Sequence, residues 1–258
     1  MIETRNATIK NDIFRELDDL TKSMSNFMNE SDFRFLQLLK NLDKLAKVDA
    51  VSASEGRALL YAVAGNIQKM DYWLNNMDKL GSKSQSFHSE FRGCVNLGLF
   101  SRAARIFPEI ISIEQQNIKN LLNLGLTCAS FGTMLSRAEA ASRANLELPD
   151  MARQTLDTAM QSKAALDKLG ISEQDVQAVL DIAGEILREK KLFWQNLVHI
   201  SIIDSEEGVG LLYQLEVCVD IPTASSMTDD VLMRMVDRDL DKPGIAFSFL
   251  PLTSRNTP

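Results

Sequence analysis

The chain has 258 residues, of which 45% are hydrophobic and 24% are charged, a composition typical of a folded globular protein. A chain of this length buries a substantial core, which excludes a disulfide-stapled miniprotein. The formal net charge is −7, from 28 basic and 35 acidic residues, so no surplus of Lys and Arg is present for nonspecific nucleic-acid binding. Residues 196–258 contain 4 basic and 10 acidic residues, so the acidity concentrates there.

The N-terminal segment and the cysteines indicate an expected cellular setting. Charged residues recur through the first twenty positions, so we find no apolar core of a secretory signal peptide there. Cys94, Cys128 and Cys218 are widely spaced, and no two form a CxxC pair, which argues against a disulfide framework or a zinc site. We therefore expect a cytoplasmic protein with reduced cysteines and no membrane span.

The chain from Ile9 to about Trp194 has the apolar periodicity of α-helices. Apolar residues recur there at spacings of three and four, as they do at Phe35, Leu38 and Leu42. Only two prolines interrupt this region, so few positions break the helices. The sequence predicts a mainly α-helical region over the first three-quarters of the chain.

Three evenly spaced glycines suggest that part of this region repeats. Gly65, Gly98 and Gly132 are separated by 33 and 34 residues, and each precedes a new helical run. Over about residues 55–149, with Pro149 closing the last unit, this pattern resembles the tetratricopeptide repeat, a helical hairpin in which a glycine opens the turn. The resemblance implies helix pairs that stack on their neighbours. An irregular helical bundle is the alternative.

The apolar pattern changes from helical to alternating near residue 195. This change predicts a boundary between an α-helical domain, residues 1–195, and an acidic C-terminal module, residues 196–258. Within the module, residues 196–203 and 211–220 alternate as strands, and the polar segment between them has turn chemistry. These segments predict a β-hairpin.

A helix and a third strand are predicted after the hairpin. Pro222 is expected to end the second strand, and Thr228 is expected to begin a helix that runs to about Leu240. Residues 245–250 form a last apolar run, which completes a ββαβ order. We expect the third strand to lie beside the first in a small mixed sheet. Such a module has little core of its own, so we expect it to pack on the helices or to self-associate.

No motif assigns a catalytic, cofactor-binding or metal-ligating residue. His88 and His199 are the two histidines, and neither adjoins a nucleophile motif. Residues 237–241 contain the first three acidic positions of a calcium loop. However, Lys242 stands where the loop requires glycine and Ser248 stands where it requires glutamate, so we reject an EF-hand.

Two patterns around the predicted hairpin turn also fail as functional motifs. Asp204, Glu206 and Glu207 are bunched in one turn, so they cannot flank a substrate without groups across a cleft. Gly208 and Gly210 form a GxG pattern without the third glycine of a dinucleotide site, and the acidic turn before them would repel phosphate. We interpret both patterns as turn chemistry.

These observations favour a non-enzymatic protein–protein interaction scaffold or adaptor. It would bind a protein partner through a helical surface, a sheet edge or both, and its C-terminal sheet could mediate a homo-oligomer. We expect no cofactor, no nucleic acid and no membrane among its ligands. One alternative is an enzyme whose site lies at the junction between helices and sheet, around Trp194, His199, Ser201 and the acidic end of the last helix. Another is an acidic inhibitor or immunity-type protein that blocks a basic site.

Overall fold

A computed structural model of the protein describes residues 2–113, 118–143, 150–194, 198–205 and 208–252. Several predicted features lie outside these residues: Pro149, the first two positions of the first predicted strand, and Glu206 and Glu207 of the turn.

The described residues form eleven helices and one three-stranded sheet, which confirms a mainly α-helical fold with a small α+β module. In chain order the elements are α1 (Ile2–Ser23), α2 (Phe33–Leu45), α3 (Ala50–Val63), α4 (Ile67–Lys79), α5 (Lys83–Asn96), α6 (Phe100–Ile113), α7 (Ile118–Thr127), α8 (Phe131–Arg143), α9 (Asp150–Leu169), α10 (Glu173–Glu189), β1 (Val198–Ser205), β2 (Gly208–Val217), α11 (Ile221–Asp237) and β3 (Ile245–Pro251).

The chain divides into two compact units. Unit 1 comprises Met1–Leu97 and Leu187–Gln195, and unit 2 comprises Gly98–Ile186 and Asn196–Pro258. The change from helix to strand does occur after α10, yet the sheet shares unit 2 with helices from the middle of the chain. Separate domains with a boundary at residue 195 stay a prediction.

Helix α3 is the centre of unit 1, where it packs against α1, α2, α4 and α5. Small residues allow neighbouring helices to approach it closely, and 10 of its 14 residues are buried. A Cβ atom on Gly56 would overlap the Cδ2 atom of Leu42 on α2. The N-cap of α3 is Asp49, whose carboxylate accepts a hydrogen bond from the backbone N–H of Ser52 at 2.9 Å.

Two of the three evenly spaced glycines occupy turns between helices. Gly65 follows α3 at φ 74° and Gly98 follows α5 at φ 64°, in the left-handed region that favours glycine. The expectation that Gly132 opens the third turn is wrong, because Gly132 lies inside α8. The left-handed residue of that turn is Ala129, at φ 49°. Its carbonyl accepts a hydrogen bond from the buried side chain of Gln177 at 3.1 Å, which helps hold a non-glycine residue there.

The sheet has the strand order β1-β2-β3, with β1 antiparallel and β3 parallel to β2. The predicted hairpin is confirmed, but the expectation that β3 lies beside β1 is wrong. The register with β2 places Phe247 opposite Tyr213 and Phe249 opposite Leu215, and all four side chains are buried. Pairing with the central strand therefore places both phenylalanines beside buried residues of β2.

Helix α11 begins earlier than predicted. Its N-cap is Asp220, whose carboxylate accepts a hydrogen bond from the backbone N–H of Thr223 at 2.9 Å. Pro222 therefore lies in the first turn of the helix, where its missing N–H costs no hydrogen bond, and does not end a strand. The expected start at Thr228 is wrong by two turns, because Asp220 supplies a cap that the prediction assigned to the strand.

Candidate interaction surfaces

The residues considered for an enzyme site belong to different compact units and differ in burial. Trp194 belongs to unit 1, is 2% exposed, and its carbonyl accepts a hydrogen bond from the side chain of Asn96 at 2.8 Å. His199 and Ser201 belong to unit 2 and are exposed on β1. The Nε2 atom of His199 lies 2.7 Å from Oε1 of Glu216 on β2. The histidine thus forms a cross-strand polar pair on an open face of the sheet.

The segment that contains the acidic residues 237–241 is anchored to α10 by its basic side chains. Arg238 donates two hydrogen bonds to the carboxylate of Glu185 on α10, at 2.9 and 2.6 Å. The Nζ atom of Lys242 lies 2.7 Å from Asp175, and this ammonium lowers the pKa of the Asp175 carboxyl to about 2. Arg238 and Glu185 are 53 residues apart, so no local sequence pattern signalled this pairing.

Within the described ranges, no three His, Cys, Asp or Glu side chains lie close enough together to hold a metal ion. None of the described helices combines the length and the apolar character that crossing a bilayer requires. Cys94, Cys128 and Cys218 are all described and form no disulfide.

Polar side chains from α10 and β2 converge on the turn between α7 and α8. The hydroxyl of Tyr213 donates a hydrogen bond to the carbonyl of Leu126, and the amide of Gln177 donates to the carbonyl of Ala129 at 3.1 Å. The carboxylate of Glu173 accepts from the second backbone N–H of α8 at 2.8 Å. Three side chains distant in sequence thus fix one turn.

The reactive groups at this turn are deeply buried. Cys128 lies 3.3 Å, sulfur to oxygen, from the hydroxyl of Ser130, and burial raises the pKa of its thiol to about 12. Burial also raises the pKa of the Tyr213 hydroxyl well above its usual value. Both groups keep their protons at neutral pH, so neither supplies a nucleophile or a base. The contacts at this turn are structural and link the sheet to the α7–α8 turn.

Unit 1 contains a smaller polar cluster between α3 and α5. The half-buried carboxylate of Glu55 accepts hydrogen bonds from the hydroxyl of Ser89, at 3.1 Å, and from the amide of Gln85. Burial raises the pKa of the Glu55 carboxyl, against these two hydrogen bonds, which lower it. The cluster links two helices through one carboxylate.

The outer edge of β3 is covered by α11. One face of this helix is buried against the strand and consists of Ala224, Met227, Val231 and Met235. The backbone N–H of Phe249 donates to the hydroxyl oxygen of Thr228 at 3.0 Å, so a side chain on α11 satisfies a donor of the strand edge. This edge is therefore protected from pairing with another strand.

Helix α9 packs against β1, but no described strand pairs with the outer edge of β1. Among the described residues, only β2 pairs with β1, and the register runs from Val198 to Ser205 without a bulge. The strand contains no proline, lysine or arginine, and its exposed face includes Ser201 and Ile203, the latter 52% exposed. Strands at sheet edges usually carry such blocking features, so β1 is suited to accept a further strand.

A shallow cavity of about 300 Å³ adjoins the loop end of this hairpin. Ile203, Val209 and Ile245 line it together with the backbone of Gly210 and Gly244. The pairing of β3 with β2 begins only at Leu211, so the preceding residues of β2 have no strand partner on that side. The cavity thus places apolar side chains beside an exposed strand backbone.

Comparison of the chain with protein-family models, with curated proteins and with solved structures finds no match. The residues themselves are therefore the basis for a functional conclusion.

Proposed function

We propose that the chain is a non-enzymatic, cytoplasmic protein–protein interaction protein that binds an extended segment of a partner at the outer edge of β1. The observation that carries this proposal is the difference between the two edges of the sheet. Thr228 on α11 satisfies a donor on the edge of β3, whereas no described strand pairs with the outer edge of β1. A strand added there would gain backbone hydrogen bonds over up to eight residues.

The composition of β1 supports strand addition by an uncharged, apolar segment. Val198, Ile200 and Ile202 alternate with His199 and Ser201, and β-branched residues favour pairing across strands. Two copies of β1 could also pair with each other, which is the form of the proposal that produces a homo-oligomer.

The proposal includes tetratricopeptide-like helix pairs within each unit, α3 with α4 in unit 1 and α7 with α8 in unit 2. In its support, α3, α5 and α7 begin at Ala50, Lys83 and Ile118, close to the period of that repeat. Gly65 and Gly98 also adopt the left-handed turn that the resemblance implies. Such a scaffold would place a second recognition surface on the helices.

Lysine substitutions at the edge test this function. Ser201→Lys combined with Ile203→Lys places two long cations on β1, which is how natural edge strands resist pairing. Gln154→Lys combined with Gln161→Lys, at two exposed positions of α9, is the matched control for the charge added in unit 2. We expect wild type and control to retain the same stoichiometric partner from the native lysate, read by quantitative mass spectrometry, and the β1 variant to lose it.

Sedimentation of the purified chains separates a partner from self-pairing. A dimer of wild type and control that the β1 variant does not form would assign the edge to a second copy of the chain. Equal retention of all bound proteins by the three chains would overturn the proposal. So would a monomeric wild type that retains no partner.

A further inference from the structure

The outer face of α11 exposes an apolar stripe that no described element covers. Leu232, Met233 and Val236 are 43%, 66% and 62% exposed, and they adjoin one another at helical spacing in the last two turns. The opposite face of the same helix packs on β3. Large apolar side chains that cluster on a surface mark binding sites more often than single exposed ones do.

Acidic side chains surround this stripe. Asp229 lies one turn before Met233, Asp237 follows Val236, and Asp239 and Asp241 follow the end of the helix; all four are exposed. The ion pairs that hold Arg234, Arg238 and Lys242 are made to Glu185 and Asp175 on α10 and not to these four aspartates. The stripe therefore has a negatively charged rim.

The basic residues of this segment are engaged elsewhere. Arg234 and Arg238 both reach the carboxylate of Glu185 on α10, at 3.5 and 2.6 Å, and Lys242 pairs with Asp175 at 2.7 Å. These pairs direct the positive charges of residues 221–242 toward α10. The charge that α11 presents outward is consequently negative.

From this arrangement we infer that the outer face of α11 is a docking site for a basic amphipathic helix of a partner protein. The partner's apolar stripe would cover Met233 and Val236, and its flanking Lys and Arg residues would meet the aspartates. A second copy of this face is disfavoured because aspartates would oppose aspartates. Anionic membranes and nucleic acids meet the same repulsion.

This inference rests on the proposed function only in so far as both make the chain an interaction protein. The two surfaces lie on different elements, β1 and α11, so each can be altered without the other. The Ser201→Lys and Ile203→Lys chain should bind a basic helix as wild type does. A failure at β1 is thereby distinguishable from a failure at α11.

Fluorescence anisotropy with three synthetic peptides of about 18 residues tests the inference on the full chain. The first peptide has a leucine stripe flanked by lysines, the second has glutamates in place of the lysines, and the third is the first one scrambled. We expect the first peptide to bind at least about tenfold more tightly than the other two, and its affinity to fall with added salt. Equal affinities for the three peptides would overturn the inference.

Two pairs of substitutions locate the binding on α11. Met233→Ser with Val236→Ser should weaken the first peptide at least about tenfold, because it removes the apolar contacts. Asp229→Asn with Asp237→Asn should weaken it severalfold and reduce its salt dependence. All four residues are exposed, so circular dichroism should show both chains folded.

The matched control is Met160→Ser with Asp157→Asn on α9, where an exposed methionine and aspartate also lie one turn apart. This chain should bind the first peptide within about twofold of wild type. Wild-type affinity in both α11 variants would overturn the inference, as would an equal loss in the control.

Discussion

The two compact units are assembled from segments that are differently spaced in the sequence. In unit 1, helices that follow one another in the chain surround α3, and the tightest glycine there faces a flexible side chain, Leu42 against Gly56. In unit 2, the hydroxyl of Tyr213 reaches a carbonyl 87 residues away, and Gly98 meets Gly184 backbone to backbone. Unit 1 also has long-range contacts, since the side chain of Asn96 donates to the Trp194 carbonyl 98 residues away. The units therefore differ in what the closest glycine faces, which is an adaptable side chain in unit 1 and a rigid backbone in unit 2.

Removal of the C-terminal segment, residues 196–258, should have the largest and most unequal effect on the two units. A chain that ends at residue 195 retains all of unit 1 but loses the sheet and α11 of unit 2. The lost buried side chains include Leu211, Tyr213, Leu215, Val217, Met227, Val231, Phe247 and Phe249. Burial of each such side chain stabilises the fold by about 1.5–3 kcal/mol, so unit 2 loses a large part of its core. Hydrogen exchange should show protection kept in residues 2–97 and lost in residues 98–186.

The same experiment tests the predicted domain boundary at residue 195. If residues 98–186 keep their protection in the shortened chain, then residues 1–195 fold as a domain and the long-range contacts of unit 2 are dispensable. A cooperative loss of structure throughout the chain would instead show that unit 1 requires unit 2.

The sequence predicts local structure in both units well and misses contacts between distant segments. Helical periodicity and the alternating strands of the hairpin depend on neighbours within a few residues, so they were predictable. The place of β3 depends on where Phe247 and Phe249 are buried, which no local pattern encodes. The left-handed conformation of Ala129 was equally hidden, because Gln177 and Tyr213 support that turn from 48 and more residues away.

For the candidate surfaces, too, local patterns were predictable and contacts between distant segments were not. The suggestion of a sheet edge followed from the alternating strands alone, but which edge is open depends on Thr228 covering β3. The acidity near residues 237–241 was visible in the sequence. Its outward direction was not, because that direction follows from the pairing of Arg238 and Lys242 with α10.

Among single substitutions, Gly184→Ala should have the largest effect on stability. Its Cβ would overlap the Gly98 carbonyl and lie 2.9 Å from the Gly98 Cα, and a backbone cannot move aside as a side chain can. We expect a loss of more than about 3 kcal/mol in the free energy of unfolding, measured by urea denaturation.

Gly56→Ala in unit 1 is the matched comparison. Its Cβ would overlap Leu42, whose side chain can rotate, and alanine gains up to about 1 kcal/mol of helix propensity over glycine. We therefore expect a net change of about 1 kcal/mol or less. Similar losses in the two variants would contradict the contrast between rigid and adaptable contacts.

Tyr213→Phe should have an intermediate effect. The substitution removes one hydrogen bond to the Leu126 carbonyl and keeps the buried ring. The same carbonyl also accepts a hydrogen bond from the Ala129 N–H at 3.2 Å, so it is not left without a donor. We expect a loss of about 0.5–1.5 kcal/mol in the free energy of unfolding. Loss of hydrogen-exchange protection should concentrate at the α7–α8 turn. An effect spread evenly over unit 2 would argue against a local role for this hydrogen bond.

Glu55→Gln should produce the smallest change, and its sign depends on pH. Because the folded-state pKa of Glu55 is raised, the protonated carboxyl favours the folded chain. That contribution is complete below the unfolded pKa and is lost as the pH rises through the folded pKa. Wild type should therefore lose stability relative to the variant over this interval, by less than about 1 kcal/mol. Urea denaturation across that pH range measures the difference, and a difference that stays constant would show that burial of the carboxylate costs unit 1 nothing.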